Sequence, residues 1–219
     1  SADVSQFVII SNQQERMKFS IVSKAVVPDV SLIDPETTLS MDPFLSACTG
    51  IDAMVHAIEA YTSALKKNPM SDLLAREALR LLAANLDEAV HNGSNREARQ
   101  AMLLGACLAG QAFANAPVAA VHALAYPLGG NFHIPHGLSN ALVLPQVLRF
   151  NVSAAATHYG ELAPIILGER LRTGDPSTYA EQLIAEFEQM SARVGLPTRL
   201  RDAGVPEAML PTLARDAML

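Results

Sequence analysis

Apolar residues recur at helical spacing along most of this chain, which narrows the folds open to it. One such segment runs from Leu45 to Thr62. A second follows Asn68, and its apolar positions are Leu73, Leu74, Ala78, Leu81, Leu82, Leu86 and Val90. Residues three or four apart share one face of a helix, so each segment offers one apolar stripe for packing. Because only 5% of the residues are aromatic, closely packed helices are favoured over aromatic-rich strands, and we predict a mainly α protein.

Helix start and stop signals continue this pattern towards the C-terminus. Thr178 and Glu181 have the spacing of a capping box, and a stop signal follows at Gly195, which predicts a helix over residues 178–194. Two further helices are predicted over about residues 96–115 and about residues 135–150. Between them a short helix holds His122 and is followed by a glycine-proline loop. Two short terminal helices begin at Pro206 and Pro211.

The first 41 residues differ from the rest, because short bulky runs replace the helical periodicity. Residues 7–10 and 30–33 have the composition of strands, and Pro28 with Asp29 gives a turn signal between them. We interpret these runs as the last strands of a sheet whose other members are absent. The composition changes near residue 40, so we place a domain boundary between residues 1–41 and the helical residues 42–219.

The charge of the chain argues against two classes of partner. A formal net charge of −6 without a basic stripe disfavours electrostatic capture of nucleic acid or of an anionic membrane surface. No apolar run approaches the roughly 18 residues of a membrane span, and the first residues lack the features of a signal peptide. We therefore expect a small-molecule partner, no nucleic acid and no membrane.

The two cysteines, Cys48 and Cys107, fit neither a zinc-finger pattern nor a disulfide framework. Both lie in alanine-rich helical context, where a free thiol behaves as a small apolar side chain. A reducing, cytoplasmic setting is expected.

Four side chains offer a possible site for one divalent metal ion. Asp52 and His56 are four residues apart on a predicted helix, so both can point at the same spot. His122 and His136 follow in a glycine-rich stretch. Imidazole with one carboxylate suits zinc, iron, copper or nickel, and four protein ligands leave room for a substrate. An Asp–x3–His pair is common on solvated helix faces, so the pair by itself does not identify a metal site.

Two longer motifs carry a resemblance to a known family. The first is T-G-x-D-A-x-x-H-A-x-E-A-Y over residues 49–61. The second is V-H-A-L-A-Y-P-L-G-G over residues 121–130, continued by I-P-H-G-L-S-N-A over residues 134–141. The chain resembles the C-terminal part of an iron-containing (group III) alcohol dehydrogenase, whose relatives include glycerol dehydrogenases and dehydroquinate synthases. Similar sequence extends over residues 27–198, nearly the whole chain.

The resemblance implies a dehydroquinate synthase-like fold of two domains. Residues 1–41 would be the tail of the N-terminal α/β domain that binds the dinucleotide, and residues 42–219 the all-helical, metal-binding C-terminal domain. The family's glycine-rich pyrophosphate loop and its final segment are missing from the sequence, and the first residue is not methionine. We therefore expect a fragment, truncated at its C-terminal end and inactive by itself.

The resemblance also implies the ligand set and the reaction. It assigns Asp52, His56, His122 and His136 to one Fe(II) or Zn(II) ion. In the family the metal acts as a Lewis acid that lowers the pKa of an alcohol, and hydride then passes to the nicotinamide of NAD or NADP. The implied activity is oxidation of an alcohol or the reverse reduction of an aldehyde or ketone, and a homodimer or a higher homo-oligomer is expected.

Four residues receive further roles near the cofactor and the substrate. The resemblance implies that Lys18 meets the cofactor ribose, that Leu45 packs near the cofactor and that Phe113 lines the substrate pocket. His133 could line the pocket as well. Without the resemblance, a lone lysine on a short helix is by default a solvated charge, and a phenylalanine on a helix is by default part of the core.

Tyr126 marks a departure from the family. It stands four residues after His122, where many members have another histidine, and helical spacing would place its ring near the metal and the nicotinamide. A phenol can donate a hydrogen bond or relay a proton, but it does not titrate near neutrality, and the ring could also merely pack. This departure leaves open a maleylacetate reductase-like or a hydroxyacid-oxoacid transhydrogenase activity. A catalytically inactive helical module is the third reading.

Overall fold

The computed structural model describes residues 2–12 and 17–218, and helices dominate it. Seven α-helices lie within these residues: α1 (Pro43–Tyr61), α2 (Pro69–His91), α3 (Arg96–Asn115), α4 (Ala120–Phe132), α5 (His136–Leu167), α6 (Pro176–Arg193) and α7 (Leu210–Asp216). They follow a two-stranded antiparallel hairpin of β1 (Phe7–Asn12) and β2 (Met17–Val22). The prediction of a mainly α protein is confirmed. In these ranges no single helix is long and apolar enough to cross a membrane, and α3 with α4 would qualify only as a pair bent by 108°.

Helix α1 lies in the middle of the core. It packs against α2, α3 and α5, and most of its residues are buried. Ile51, Met54 and Ile58 are almost completely excluded from solvent at a spacing of three and four residues. Burying an apolar side chain of this size stabilises the fold by roughly 1.5–3 kcal/mol. The helix that carries Asp52 and His56 is therefore held firmly on several sides.

The N-terminal strands differ from those predicted. Residues 7–10 do lie in a strand, but residues 30–33 form none, and Val30 and Leu32 are largely exposed. The strand prediction for residues 30–33 was wrong because bulky residues need a hydrogen-bonded partner strand and a surface to cover. β1 pairs instead with β2, which places Phe7 opposite Val22.

Two helices run further than predicted. The loop predicted after His122 is helical, because α4 continues through Pro127 to Phe132. The helix predicted over residues 135–150 extends to Leu167. Its second half keeps helical spacing at buried positions, which are Ala155, Tyr159, Leu162, Ala163 and Ile166, and α5 packs against α6. Burial of this face outweighs the weak local stop signals.

The start of α6 also corrects a prediction. Asp175 is the N-cap, and its carboxylate accepts a hydrogen bond from the Thr178 N–H at 2.7 Å. Thr178 therefore lies inside the first turn, and the capping box assigned to Thr178 and Glu181 was wrong. Pro176 occupies the first helical position, where the missing N–H has no cost because no helical acceptor would meet it.

Candidate metal centre

Helix α1 presents Asp52, His56 and Glu59 on one face. The spacings of four and three residues align these side chains on successive turns. Asp42 caps the helix by accepting a hydrogen bond from the Leu45 N–H at 2.9 Å. Such a cap satisfies one of the free donors of the first turn and defines where the helix begins.

A sharp chain reversal brings α5 back beside α4. His122 is the third residue of α4, and His136 is the first residue of α5. Between them His133 ends α4 in the left-handed conformation, with φ of 55°. Histidine tolerates this region better than most non-glycine residues. The reversal places His136 close to His122, with the two ring centroids 5.2 Å apart.

The four predicted ligands meet in space. Asp52, His56, His122 and His136 each offer one ligand atom, and all four atoms lie within 4.8 Å of one another. His122 Nε2 lies 3.0 Å from His56 Nε2, and Asp52 Oδ1 lies 3.6 Å from His136 Nε2 and 3.8 Å from His122 Nε2. Two ligands about 2.1 Å from one ion lie about 3–4 Å apart, so these separations suit a shared zinc or iron ion.

The hydrogen bond between His122 and Glu59 fixes which ring nitrogen of His122 carries the proton. His122 Nδ1 lies 2.6 Å from Glu59 Oε2, and since a carboxylate only accepts, the imidazole donates there. In the neutral ring Nε2 therefore carries a lone pair, which faces His56 Nε2. This tautomer of His122 is the one that binding of a cation at Nε2 requires.

Asn140 shows the same shortage of donors. Its Nδ2 contacts Asp52 Oδ1 and lies 3.3 Å from both His122 Nε2 and His136 Nε2. An amide NH₂ has two hydrogens, so it cannot satisfy all three groups when both Nε2 atoms are unprotonated, as they are in metal ligands. Its own Oδ1 is buried without a hydrogen-bond partner among the described residues. A divalent cation would supply the positive charge that these acceptors share, so the residues fit a metal ion.

The electrostatics keep two of the ligands, His56 and Asp52, in their metal-binding protonation states. Burial lowers the pKa of His56 to about 3, and the neighbouring Asp52 only partly offsets this effect. Burial would raise the pKa of Asp52, but the three histidines and the Asn140 amide reverse that effect and hold the pKa below its usual value. At neutral pH His56 is therefore neutral and Asp52 is ionised, as metal ligands must be.

A cavity of about 1150 Å³ opens beside the ligands. Its lining includes all four ligands and, from other elements, Phe7, Met102, Phe113, Val118 and Tyr126. The side chains of His56 and His122 are 9% and 3% exposed, whereas that of His136 is 38% exposed. A small molecule would therefore approach the ligands from the side of His136.

Two of the residues given further roles, Phe113 for the substrate pocket and Tyr126 near the metal and the nicotinamide, lie at this cavity. The Phe113 ring stacks on His56 with centroids 4.6 Å apart. The Tyr126 ring is nearly parallel to that of His136, with centroids 5.9 Å apart, and meets His122 edge-on at 6.2 Å. Burial raises the pKa of Tyr126, and the Glu59 and Asp52 carboxylates raise it further, so the phenol stays protonated at neutral pH. The roles of both residues stay predictions.

The other three predicted residues lie elsewhere. His133 is exposed at the end of α4, and neither His133 nor Leu45 is among the residues that line this cavity. Leu45 is 44% exposed in the first turn of α1. Lys18 belongs to strand β2 and not to a short helix, and its side chain lies outside the described residues. The parts that Leu45 and Lys18 play towards a cofactor stay predictions.

Sequence reasoning missed Glu59 and Asn140, which both contact ligands. Glu59 follows His56 by three residues, and Asn140 follows His136 by four, so each shares a helix face with a predicted ligand. Helical spacing was the signal that could have found them.

Comparison with known proteins gives one consistent result. Residues 46–219 match the C-terminal part of the Fe-containing alcohol dehydrogenase family. The chain is 40% identical to 1,3-propanediol dehydrogenase from Klebsiella pneumoniae over 218 residues, which is 100% of this chain and 56% of that protein. It is 31% identical to NAD-dependent methanol dehydrogenase from Bacillus methanolicus over 216 residues, which is 99% of this chain and 56% of that protein.

A solved structure agrees with these relatives. The crystal structure of a 1,3-propanediol oxidoreductase superposes with a TM-score of 0.94 at 40% identity, covering 100% of this chain and 57% of that one. The chain thus spans about half the length of the proteins it matches.

Proposed function

Because the chain belongs to the Fe-containing alcohol dehydrogenase family, we propose that it is the metal-binding part of an enzyme that transfers hydride between an alcohol and NAD or NADP. The reverse reaction reduces an aldehyde or ketone. The observation that carries this proposal is the convergence of Asp52, His56, His122 and His136 beside a cavity. A small-molecule substrate and a homo-oligomeric assembly belong to the same proposal.

The four converging residues would hold one Fe(II) or Zn(II) ion. When bound, a divalent ion supplies positive charge that stabilises the negative charge developing on the oxygen of an alcohol as its proton leaves. Asp52 contributes one negative charge, and the neutral imidazole of His56 contributes none. The ligand set therefore leaves much of the charge of the ion uncompensated, as this chemistry requires.

Phe113 and Phe7 form an apolar side of the site. Phe113 covers one face of His56, and the Phe7 ring lies 5.8 Å from the Phe113 ring. These rings exclude water from the buried side of the cluster and offer apolar surface to the carbon chain of a substrate. Electrostatic interactions strengthen in such a water-poor site.

Only two residues of this chain, Leu45 and Lys18, are proposed to contact the cofactor. The exposed Leu45 leaves an apolar side chain at the start of α1 free to meet a group outside the helical domain. This position supports the proposal that Leu45 contacts NAD or NADP, and Lys18 is proposed to meet the ribose.

Two measurements test the proposed function. Metal analysis of the purified chain should find close to one Fe or Zn per chain. The product of the complete reading frame that contains this sequence should then oxidise alcohols with NAD or NADP. The panel includes primary alcohols, diols, the matching aldehydes and maleylacetate. Absence of metal would refute the ligand set, and turnover of maleylacetate alone would replace alcohol oxidation with the alternative activity.

In the protein encoded by the complete reading frame, Tyr126→Phe is expected to lower kcat/KM roughly 10-fold. This loss corresponds to about 1.4 kcal/mol, the size of one hydrogen bond to the reacting oxygen. Metal content should not change, because Tyr126 is not among the four ligands. Tyr179→Phe on α6, which is not among the cavity-lining residues, is the matched control. Unchanged turnover and cofactor affinity in Tyr126→Phe would reduce Tyr126 to a packing residue.

A further inference from the structure

Glu59 is a buried carboxylate outside the four-ligand set. The residue is 4% exposed, and its two oxygens have separate partners. Oε2 accepts a hydrogen bond from His122 Nδ1 at 2.6 Å, and Oε1 accepts one from the backbone N–H of Val121 at 2.8 Å. A carboxylate is costly to bury unless such partners compensate it. Its position therefore needs an explanation in terms of what these two bonds achieve.

The bond to Val121 replaces a missing helix cap. Ala119 occupies the N-cap position of α4, and no side chain caps this helix locally. The Glu59 side chain on α1 accepts a hydrogen bond from the Val121 N–H, which is one of the free N–H groups in the first turn of α4. A negative charge there also interacts favourably with the helix dipole. The first turn of α4, which carries His122, is thus attached to α1, which carries Asp52 and His56.

The bond to His122 decides which ring nitrogen faces the other ligands. With its proton on Nδ1 and directed at Glu59, the neutral ring presents the lone pair of Nε2 to His56 and Asp52. The other tautomer would aim an N–H into the cluster and could not bind a cation. Hydrogen bonds of this kind set both the tautomer and the orientation of metal-binding histidines.

We propose that Glu59 is a positioning residue of the metal centre, which holds His122 Nε2 towards the other ligands and ties the first turn of α4 to α1. This inference rests on the proposed function and extends it beyond the four ligands. Glu59→Gln keeps the size of the side chain but leaves one acceptor oxygen for two N–H donors. Either Val121 or His122 must then lose its acceptor.

Zn²⁺ affinity of the full-length protein, measured by competition with a chelator, is the test. Glu59→Gln should bind Zn²⁺ about 10–100-fold more weakly than wild type, the range typical of outer-shell partners. Glu186→Gln is the matched control, because Glu186 is an equally buried carboxylate that pairs with Arg170 and Arg193. It should lose stability and keep the wild-type Zn²⁺ affinity.

Nitrogen NMR of the histidine rings in the metal-free protein gives a second readout. His122 should carry its proton on Nδ1 in wild type and populate the Nε2–H tautomer in Glu59→Gln. Equal Zn²⁺ affinity and an unchanged tautomer in Glu59→Gln would overturn the inference. Failure of wild type to bind Zn²⁺ would instead refute the proposed function, and the tautomer would still decide the role of Glu59.

Glu59→Asp covers the case in which Glu59→Gln does not fold. It keeps the carboxylate but shortens the side chain by one methylene, so it cannot reach both donors. Weaker Zn²⁺ binding than wild type supports the inference, and equal binding contradicts it.

Discussion

His122→Ala is expected to abolish tight metal binding, with a loss of Zn²⁺ affinity above about 100-fold, the upper limit typical of outer-shell partners. His122 is 2% exposed, and its Nε2 lies 3.0 Å from His56 Nε2 and 3.8 Å from Asp52 Oδ1. The substitution removes one of four ligands and also deprives the buried Glu59 of its imidazole donor. Metal content after dialysis and chelator competition measure the effect.

His91→Ala is the control for this prediction. His91 is exposed at the end of α2, where its Nδ1 contacts the Asp87 carbonyl oxygen 2.8 Å away. Its removal should leave metal binding unchanged. Wild-type metal content in His122→Ala, or an equal loss in His91→Ala, would refute the assigned site.

Gly137→Ala should destabilise the protein by about 3 kcal/mol, because overpacking against an immobile group reaches the upper end of its usual range. A methyl group at Gly137 would lie 2.6 Å from the Cys48 carbonyl carbon and closer still to the oxygen. Backbone atoms of α1 cannot rotate away as a side chain could. Helix α5 must shift instead, and His136 is the neighbouring residue, so metal affinity should fall too. For a chain of this size the melting temperature should drop by roughly 6–12 °C.

Gly160→Ala separates this clash from a general effect of alanine in α5. A methyl group there would make ordinary contacts, the closest being 3.5 Å from Pro176 Cα. Alanine is a better helix former than glycine, so the melting temperature should rise, with a gain of about 0.5–1 kcal/mol. Equal melting temperatures for the two variants would show that α1 and α5 do not approach as closely as the structure indicates.

Local patterns were sufficient for much of the helical architecture. The apolar spacing and flanking residues of α1, α2 and α3 predicted these helices to within a few residues, because each has a clear start signal and one continuous buried face. The ends of α4 and α5 were harder. Pro127 is a local stop signal that burial overrides in α4, and the continuation of α5 beyond residue 150 depends on a face that is buried against α6. The strand predicted over residues 30–33 was wrong for the opposite reason, because a strand depends on a partner strand elsewhere in the chain.

The candidate site divides in the same way. Helical spacing placed Asp52 and His56 on one face, and the family resemblance named His122 and His136. Neither source showed that Glu59 caps α4 from another helix, or that Asn140 contacts three ligands.

The sequence by itself determined which residue types are present and which of them share a turn of helix, because a period of 3.6 residues is a local property. Only the tertiary structure decided that Asp52 and His136, 84 residues apart in the chain, lie 3.6 Å from each other. That distance depends on the packing of α1 against α5 at Gly137 and on the reversal at His133. Such contacts join distant segments, so no local pattern contains them.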